Sequence, residues 1–84
     1  MIELPRTTAY FREQVLVKRP YLKIEWCMAV LDNHVEREVQ QDGRIRFWGY
    51  VEDMHGRALR VVTLEDGRTL RNAFPDSGYP RRTR

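Results

Sequence analysis

Hydrophobic and polar residues alternate one by one through much of the second half of the chain, the period of a β-strand with one buried face. Two Asp-Gly pairs, Asp42-Gly43 and Asp66-Gly67, each separate two such alternating runs. Asp-Gly favours a tight hairpin because glycine adopts positive φ without steric cost and aspartate tolerates it. A third turn at 53–56 joins the two hairpins, so the pattern predicts a four-stranded antiparallel meander.

The first third of the chain has helical spacing instead. No Gly or Pro interrupts residues 9–18, Thr7 or Thr8 can cap the start of a helix there, and Pro20 ends it. A second helix is predicted over 23–32 from its apolar stripe. The predicted fold is therefore α+β, with two N-terminal helices packed on one face of a four-stranded antiparallel meander.

The residues beside each turn predict the strand registers. A three-residue loop with a Gly bulge at the first turn places Val39 opposite Ile45 and Glu38 opposite Arg46, which joins apolar with apolar and opposite charges. A two-residue loop at the second turn gives three cross-strand pairs: Thr63 with Leu70, Val61 with Asn72, and Leu59 with Phe74.

Alternation then sorts the strand residues onto two faces of the sheet. The face expected beneath the helices holds Val35, Val39, Ile45, Phe47, Val51, Leu59, Val61, Leu70 and Phe74. The opposite face, called the open face here, holds Glu36, Glu38, Arg44, Arg46, Trp48, Tyr50, Arg60, Val62, Leu64, Thr69 and Arg71. Pro, Gly and Arg dominate the end of the chain, so we expect one domain over 1–76 and a flexible basic tail over 77–84.

Length and composition narrow the class of protein. A chain of 84 residues with 32% charged and 42% hydrophobic residues fits one small folded domain. No apolar run approaches the ~18 residues of a membrane span and no signal-peptide pattern opens the chain, so we expect a cytoplasmic protein without a membrane partner. The single Cys27 excludes an internal disulfide, and the two histidines lack metal-ligand spacing. We therefore expect no metal and no cofactor.

The positive charge of the chain is concentrated in arginine. Of 15 basic residues, 13 are Arg, and the net charge is +3. The planar guanidinium matches phosphate or carboxylate bidentately, so an Arg-rich domain favours anionic partners. An ordinary solvated surface is the alternative explanation of this composition.

Several segments resemble a small bacterial domain family of unknown function. They are Phe11-Arg12-Glu13-Gln14-Val15-Leu16, Arg19-Pro20-Tyr21, Glu25-Trp26-Cys27 and Val30-Leu31, then 42–50 and 59–67 in the sheet, closing with Asn72-Ala73-Phe74. That family is similar in pattern to the BrnT toxins, relatives of the RelE/ParE superfamily of toxin–antitoxin ribonucleases and related toxins. The resemblance covers about residues 6–76 and implies a toxin-like ribonuclease with an antitoxin partner. Members often carry a His in the first helix, where this chain has Ala9-Tyr10.

The open face carries the candidate functional residues, which are Arg46, Trp48, Tyr50, Arg60 and Arg71. Guanidinium groups neutralise phosphates, and Trp and Tyr rings stack on unpaired bases. A metal-free ribonuclease also needs a proton donor and a base for the 2′-hydroxyl. Tyr50 could relay a proton, and Glu38 or His55 at the rim could act as base. The catalytic residues stay unknown and endoribonuclease activity stays open, since these Arg residues could instead pair with glutamates on a solvated sheet.

The same face also carries an apolar set, Trp48, Tyr50, Val62 and Leu64, of a kind that soluble monomers usually bury. A homodimer or a cognate antitoxin laid across the sheet would cover it. The sequence therefore predicts functions of two classes. One is a toxin-like, metal-independent RNA-binding or RNA-cleaving domain. The other is a non-catalytic protein-interaction or homodimerisation module that uses the open face.

Overall fold

The structure is a computed structural model that describes residues 6–82. Two helices precede a four-stranded antiparallel sheet whose strands lie in chain order. The strands are β1 (Glu36–Val39), β2 (Ile45–Tyr50), β3 (Ala58–Thr63) and β4 (Leu70–Pro75). The predicted α+β class, the two helices and the antiparallel meander are confirmed.

The first helix agrees with its prediction in extent but not in geometry. It runs through residues 9–18, with π-helical turns over Phe11–Val15 and an α-helical turn over Leu16–Lys18. Thr8 caps it, since the Thr8 Oγ1 accepts a hydrogen bond of 3.1 Å from the Phe11 amide. The helix ends before Pro20, as expected. The placement of the N-terminal helix is therefore confirmed in part.

The second helix, Ile24–Asn33, lies directly on β2. A Cβ atom added to Gly49 would stand 3.2 Å from Val30 Cγ1, which is tighter than ordinary van der Waals contact, so a larger residue at this crossing would have to push Val30 aside. Side chains from both helices and from the sheet form one buried cluster, with Phe11, Val15, Cys27, Val30, Leu59, Val61 and Leu70 at its centre.

The first hairpin has the predicted register. Val39 pairs with Ile45 and Glu38 with Arg46. Gly43 takes φ +91°, and the Asp42 Oδ1 accepts a hydrogen bond of 3.0 Å from the Arg44 amide. The Asp-Gly pair therefore acts as the local turn chemistry requires.

The second hairpin departs from its prediction one step beyond the turn. Thr63 pairs with Leu70 as expected, but the register shifts between Val62 and Thr63. The observed pairs beyond the shift are Val62 with Asn72, Val61 with Ala73, Arg60 with Phe74, and Leu59 with Pro75. The predicted pairs Val61–Asn72 and Leu59–Phe74 are wrong, because the extra residue of a bulge exchanges the faces of the residues that follow it. Ala73 is buried in the core, and Phe74 lies beside Arg60 on the open face.

The strand β1 lies at the edge of the sheet and outside the cover of the helices. The second helix packs on β2 and β3, and the first packs on β4. Val35 and Val39, predicted to be buried, are 59% and 56% exposed. That prediction is wrong because alternation assigns a side chain to a face but does not say how far the helices extend across it.

The turn between the hairpins lies where it was predicted. It consists of a 3-10 helix over Glu52–Met54, followed by His55 and Gly56 with φ of 55° and 86°. The Arg82 amide donates a hydrogen bond of 2.8 Å to the Gly56 carbonyl, so the segment after β4 returns to this turn. None of the helices within residues 6–82 has the length and apolar character needed to cross a bilayer.

Candidate functional site

The sheet brings all of the candidate residues except Arg71 onto the open face. Arg46, Trp48 and Tyr50 alternate along β2, and Arg60 on β3 pairs with Trp48. Arg71 lies at the bulge of β4, and its Cζ is 3.9 Å from the centroid of the Tyr10 ring in the first helix. The bulge therefore directs Arg71 toward the helix at the sheet edge.

Residues 76–82, called the strap here, lie across the open face. The sequence assigned most of this segment to a tail outside the domain. The strap begins where the Asp76 amide donates to the Ala58 carbonyl at 2.9 Å and ends at the Arg82–Gly56 hydrogen bond. Midway, the Tyr50 hydroxyl donates to the Pro80 carbonyl at 2.6 Å. Residues 83 and 84 of the predicted tail fall outside the described residues.

The carboxylate of Asp76 joins the strap to two candidate residues. Its Oδ2 accepts hydrogen bonds from the Trp48 indole N–H at 2.9 Å and from the Arg60 Nη2 and Nε at 2.8 and 3.1 Å. The side chains of Arg60 and Asp76 are 26% and 11% exposed. Hydrogen bonding from Trp48, reinforced by Arg60, lowers the pKa of Asp76 despite the opposing effect of burial. Asp76 is thus a fixed anion at the centre of the face.

The ring of Tyr79 covers Trp48 from the solvent side. The two rings stack with centroids 5.5 Å apart and planes inclined by 15°. The Tyr79 hydroxyl donates to the Glu36 Oε1 at 2.6 Å, and this bond raises the pKa of Tyr79 to about 12. Tyr79 is therefore held at both ends, by Trp48 under its ring and by Glu36 at its hydroxyl.

The strap changes the predicted apolar patch. Trp48 is 6% exposed and Val62 8%, while Tyr50 and Leu64 are half-buried. The expectation that these four residues form an exposed patch is wrong, because Tyr79 of the same chain covers the largest of them.

Guanidinium groups and aromatic rings alternate across the face. The Arg60 Cζ lies 5.4 Å from the Trp48 ring centroid and 4.9 Å from that of Phe74, and the Arg19 Cζ lies 5.6 Å from the Phe74 ring centroid. Sequence reasoning missed Phe74, because the bulge was not predicted. It also missed Arg19, which reaches this face from the end of the first helix. We call Arg19, Phe74, Arg60, Trp48 and Tyr79 the cation–aromatic series.

Arg46 pairs with a glutamate on the neighbouring strand, as expected if the arginines of this face belong to an ordinary solvated sheet. Its Nη1 lies 3.0 Å from the Glu38 Oε1, on the neighbouring strand β1. Arg60 does not follow that interpretation, since its partner is Asp76 of the strap. The candidate base Glu38 therefore contacts one candidate cation.

The histidines and the cysteine lie away from the cation–aromatic series. His55 is exposed in the turn between the hairpins, where its backbone carbonyl accepts from the Arg81 Nη1 at 3.1 Å, and the His34 ring meets Phe47 edge-on at 5.0 Å. Burial raises the pKa of the Cys27 thiol to about 12, which suits a core residue and not a nucleophile. Among residues 6–82, no three His, Cys, Asp or Glu side chains come together as a metal site would need.

Comparison of the chain with protein-family models, with curated proteins and with solved structures gives no match. The similarity to BrnT-type toxins stays a prediction from the residues that suggested it.

Proposed function

We propose that this protein is a toxin-like, metal-independent RNA-binding domain that takes single-stranded RNA on its open face. The observation that carries the proposal is the cation–aromatic series. Flat rings offer stacking surfaces to bases of any identity, and the guanidinium groups between them neutralise the phosphates that link those bases. Arg46, Tyr50 and Arg60 contact the phosphate backbone in this proposal, and Arg71 extends the contact at the edge of the sheet.

The charge around the face supports an anionic partner. Arg19, Arg71 and Arg82 each lie over an aromatic ring. Within residues 6–82, none of the three has a carboxylate oxygen within 4.0 Å. Among the described residues their charge is therefore uncompensated by a close acidic partner, which suits contact with phosphate.

Cleavage would require more than binding. The 2′-oxygen must lose its proton as it attacks phosphorus, and the 5′-oxygen must gain a proton as it leaves. In this proposal Glu38, beside Arg46, takes the first proton and Tyr50 gives the second. Tyr50 lies four residues along β2 from Arg46, about 13 Å away, so its side chain must first turn toward Glu38. Because the Tyr50 hydroxyl donates to the Pro80 carbonyl, that contact must break before Tyr50 can serve a leaving group.

The binding proposal is tested with a fluorescent oligouridylate and anisotropy measured from about 50 to 200 mM salt. Arg19→Ala and Arg71→Ala should each weaken binding and reduce the slope of log K against log salt by about 1. Arg68→Ala, an exposed arginine in the second hairpin turn, is the matched control and should leave the slope unchanged. Equal effects of all three substitutions, or no binding at low salt, would refute the proposal.

Cleavage is tested on the same RNA in excess EDTA. The expected products end in a 2′,3′-cyclic phosphate, and Glu38→Gln should abolish them while leaving RNA binding intact. Intact RNA after long incubation with the pure protein would limit the function to binding.

A second candidate function is protein interaction, favoured by the edge strand β1. All four of its residues are exposed, and Val35 and Val39 present apolar side chains beside its edge. An extended segment of another protein can add to such an edge as a further strand. A second copy of this chain fits poorly as that added strand. The antiparallel register that sets Val35 opposite the Val39 of the copy also sets Arg37 opposite the Arg37 of the copy, and like charges directly opposite each other destabilise the pairing. Light scattering should therefore find a monomer, and Val39→Lys should abolish capture of any cognate antitoxin.

A further inference from the structure

The strap presents to the open face the two chemical groups of a nucleotide. Its aromatic group is the Tyr79 ring, which lies on Trp48 at 5.5 Å and nearly parallel to it. This is the arrangement that an unpaired base adopts on a Trp platform. Its anionic group is the Asp76 carboxylate, which receives the Arg60 fork and the indole N–H. Phosphate oxygens accept hydrogen bonds from the same donors.

We propose that the strap is an internal mimic of RNA, which occupies the stacking and phosphate positions of the open face and is displaced when RNA binds. The inference rests on the proposed function and assigns its regulation. A base would take the place of Tyr79 on Trp48, and its phosphate would take the place of Asp76 on Arg60. The two occupants exclude each other, because a phosphate and the Asp76 carboxylate on one guanidinium would repel.

The attachments of the strap suit a displaceable element. Most of its residues beyond Asp76 are exposed, with Tyr79 half-buried as the exception. Beyond Asp76, four hydrogen bonds hold it to the body at its accessible surface: Tyr79 to Glu36, Tyr50 to Pro80, Arg81 to the His55 carbonyl, and Arg82 to the Gly56 carbonyl. Each such bond contributes little net free energy against water, so RNA can replace them one after another.

The test uses the full chain and the same oligouridylate. The double variant Asp76→Asn, Tyr79→Leu removes the anion and the ring of the strap. It should bind RNA at least about tenfold more tightly than the unmodified protein, because its strap no longer competes for Trp48 and Arg60. Amide hydrogen exchange at Arg82 should accelerate in the same variant, because the Arg82 amide donates to the Gly56 carbonyl of the body.

Matched controls come from a similar pair outside the strap. Asp53 accepts a hydrogen bond of 3.2 Å from the Trp26 indole, and Tyr21 is an exposed tyrosine. The double variant Asp53→Asn, Tyr21→Leu makes the same changes of charge and ring. Its RNA affinity should stay within about twofold of the unmodified protein, so a gain that reflects general electrostatics would appear in both variants.

A second measurement needs no variant. Saturating RNA should accelerate exchange at the Arg82 amide of the unmodified protein, because the bound strand displaces the strap from the Gly56 carbonyl. Unchanged or slower exchange at this amide, or equal RNA affinity of the strap variant and the unmodified protein, would overturn the mimic while leaving RNA binding in place. Unchanged strap exchange in the strap variant would also overturn it. If neither protein binds RNA, the mimic and the proposed function fall together.

Discussion

Substitution of Asp76 by alanine should destabilise the protein far more than its surface position suggests. One carboxylate oxygen accepts the Trp48 indole N–H and both Arg60 donors. Alanine leaves the indole N–H, on a side chain that is 6% exposed, without its acceptor. It also leaves the guanidinium without its counter-ion and loosens the strap at its first residue.

The magnitude follows from these two losses. A hydrogen bond to a charged acceptor contributes about 1.5–3 kcal/mol to the free energy of unfolding. The Arg60 pair contributes about 1 kcal/mol or less, because water reaches a side chain that is 26% exposed. The two contributions share one oxygen and do not add fully, so we expect a loss of about 2–3 kcal/mol. In a domain of this size that lowers Tm by about 10–20 °C.

The assay is urea and thermal unfolding followed by Trp fluorescence and circular dichroism. Asp53→Ala is the control, since Asp53 also accepts an indole N–H but in an exposed position, and it should cost about 1 kcal/mol or less. Equal losses for the two variants, or a loss below about 0.5 kcal/mol for Asp76→Ala, would refute the anchoring role of Asp76.

The difference in stability between the unmodified protein and Asp76→Ala depends on pH with a definite sign. Folding lowers the pKa of Asp76 from the ordinary value of about 3.9. The contribution of Asp76 to the free energy of unfolding is therefore fully present above the unfolded-state pKa and is lost as the pH falls through the folded-state pKa. The gap between the unmodified protein and Asp76→Ala should stay constant near neutrality and close on acidification below about pH 4.

Three further predictions follow from other contacts. Gly49→Ala should lower the free energy of unfolding by about 1–3 kcal/mol, because the added methyl group overpacks against Val30. Adding Val30→Ala to the same chain should recover part of that loss in a double-mutant cycle. Additive effects of the two substitutions would contradict the contact. Folding raises the pKa of Tyr79 from about 10 to about 12. The unmodified protein should therefore lose stability relative to Tyr79→Phe as the pH rises between these values. If the two proteins show the same dependence of unfolding free energy on pH, the Glu36 contact is contradicted. The buried Cys27 thiol, with its pKa raised to about 12, should react with a disulfide reagent at about pH 8 only after unfolding; fast reaction of the native protein would place it at the surface.

Turn chemistry explains why the hairpin next to Asp42-Gly43 could be predicted in detail. The positive φ of Gly43 and the bond from the Arg44 amide to the Asp42 carboxylate arise within three residues of each other. The register of β1 against β2 then follows from the loop length alone.

The bulge in β4 could not be found in the same way. Alternation over Leu70–Pro75 is compatible with a continuous strand and with a shift of one residue. At Leu70, where the shift begins, the amide donates to the Arg6 carbonyl at 2.8 Å and the carbonyl accepts from the Thr8 amide at 3.0 Å. The start of the described chain thus pairs with this edge, a long-range contact that no local pattern contains. The bulge is what places Phe74 in the cation–aromatic series.

The sequence by itself determined the elements, their order and one strand register, because helical period, Asp-Gly turns and Pro20 act over a few neighbouring residues. It also placed Arg46, Trp48, Tyr50 and Arg60 on one face, since alternation has a fixed period of two. Only the tertiary structure decided that the helices leave β1 uncovered and that the strap covers Trp48. The physical reason is that the partners of Asp76 and Tyr79 lie on strands far away in the chain, and folding alone brings them within reach.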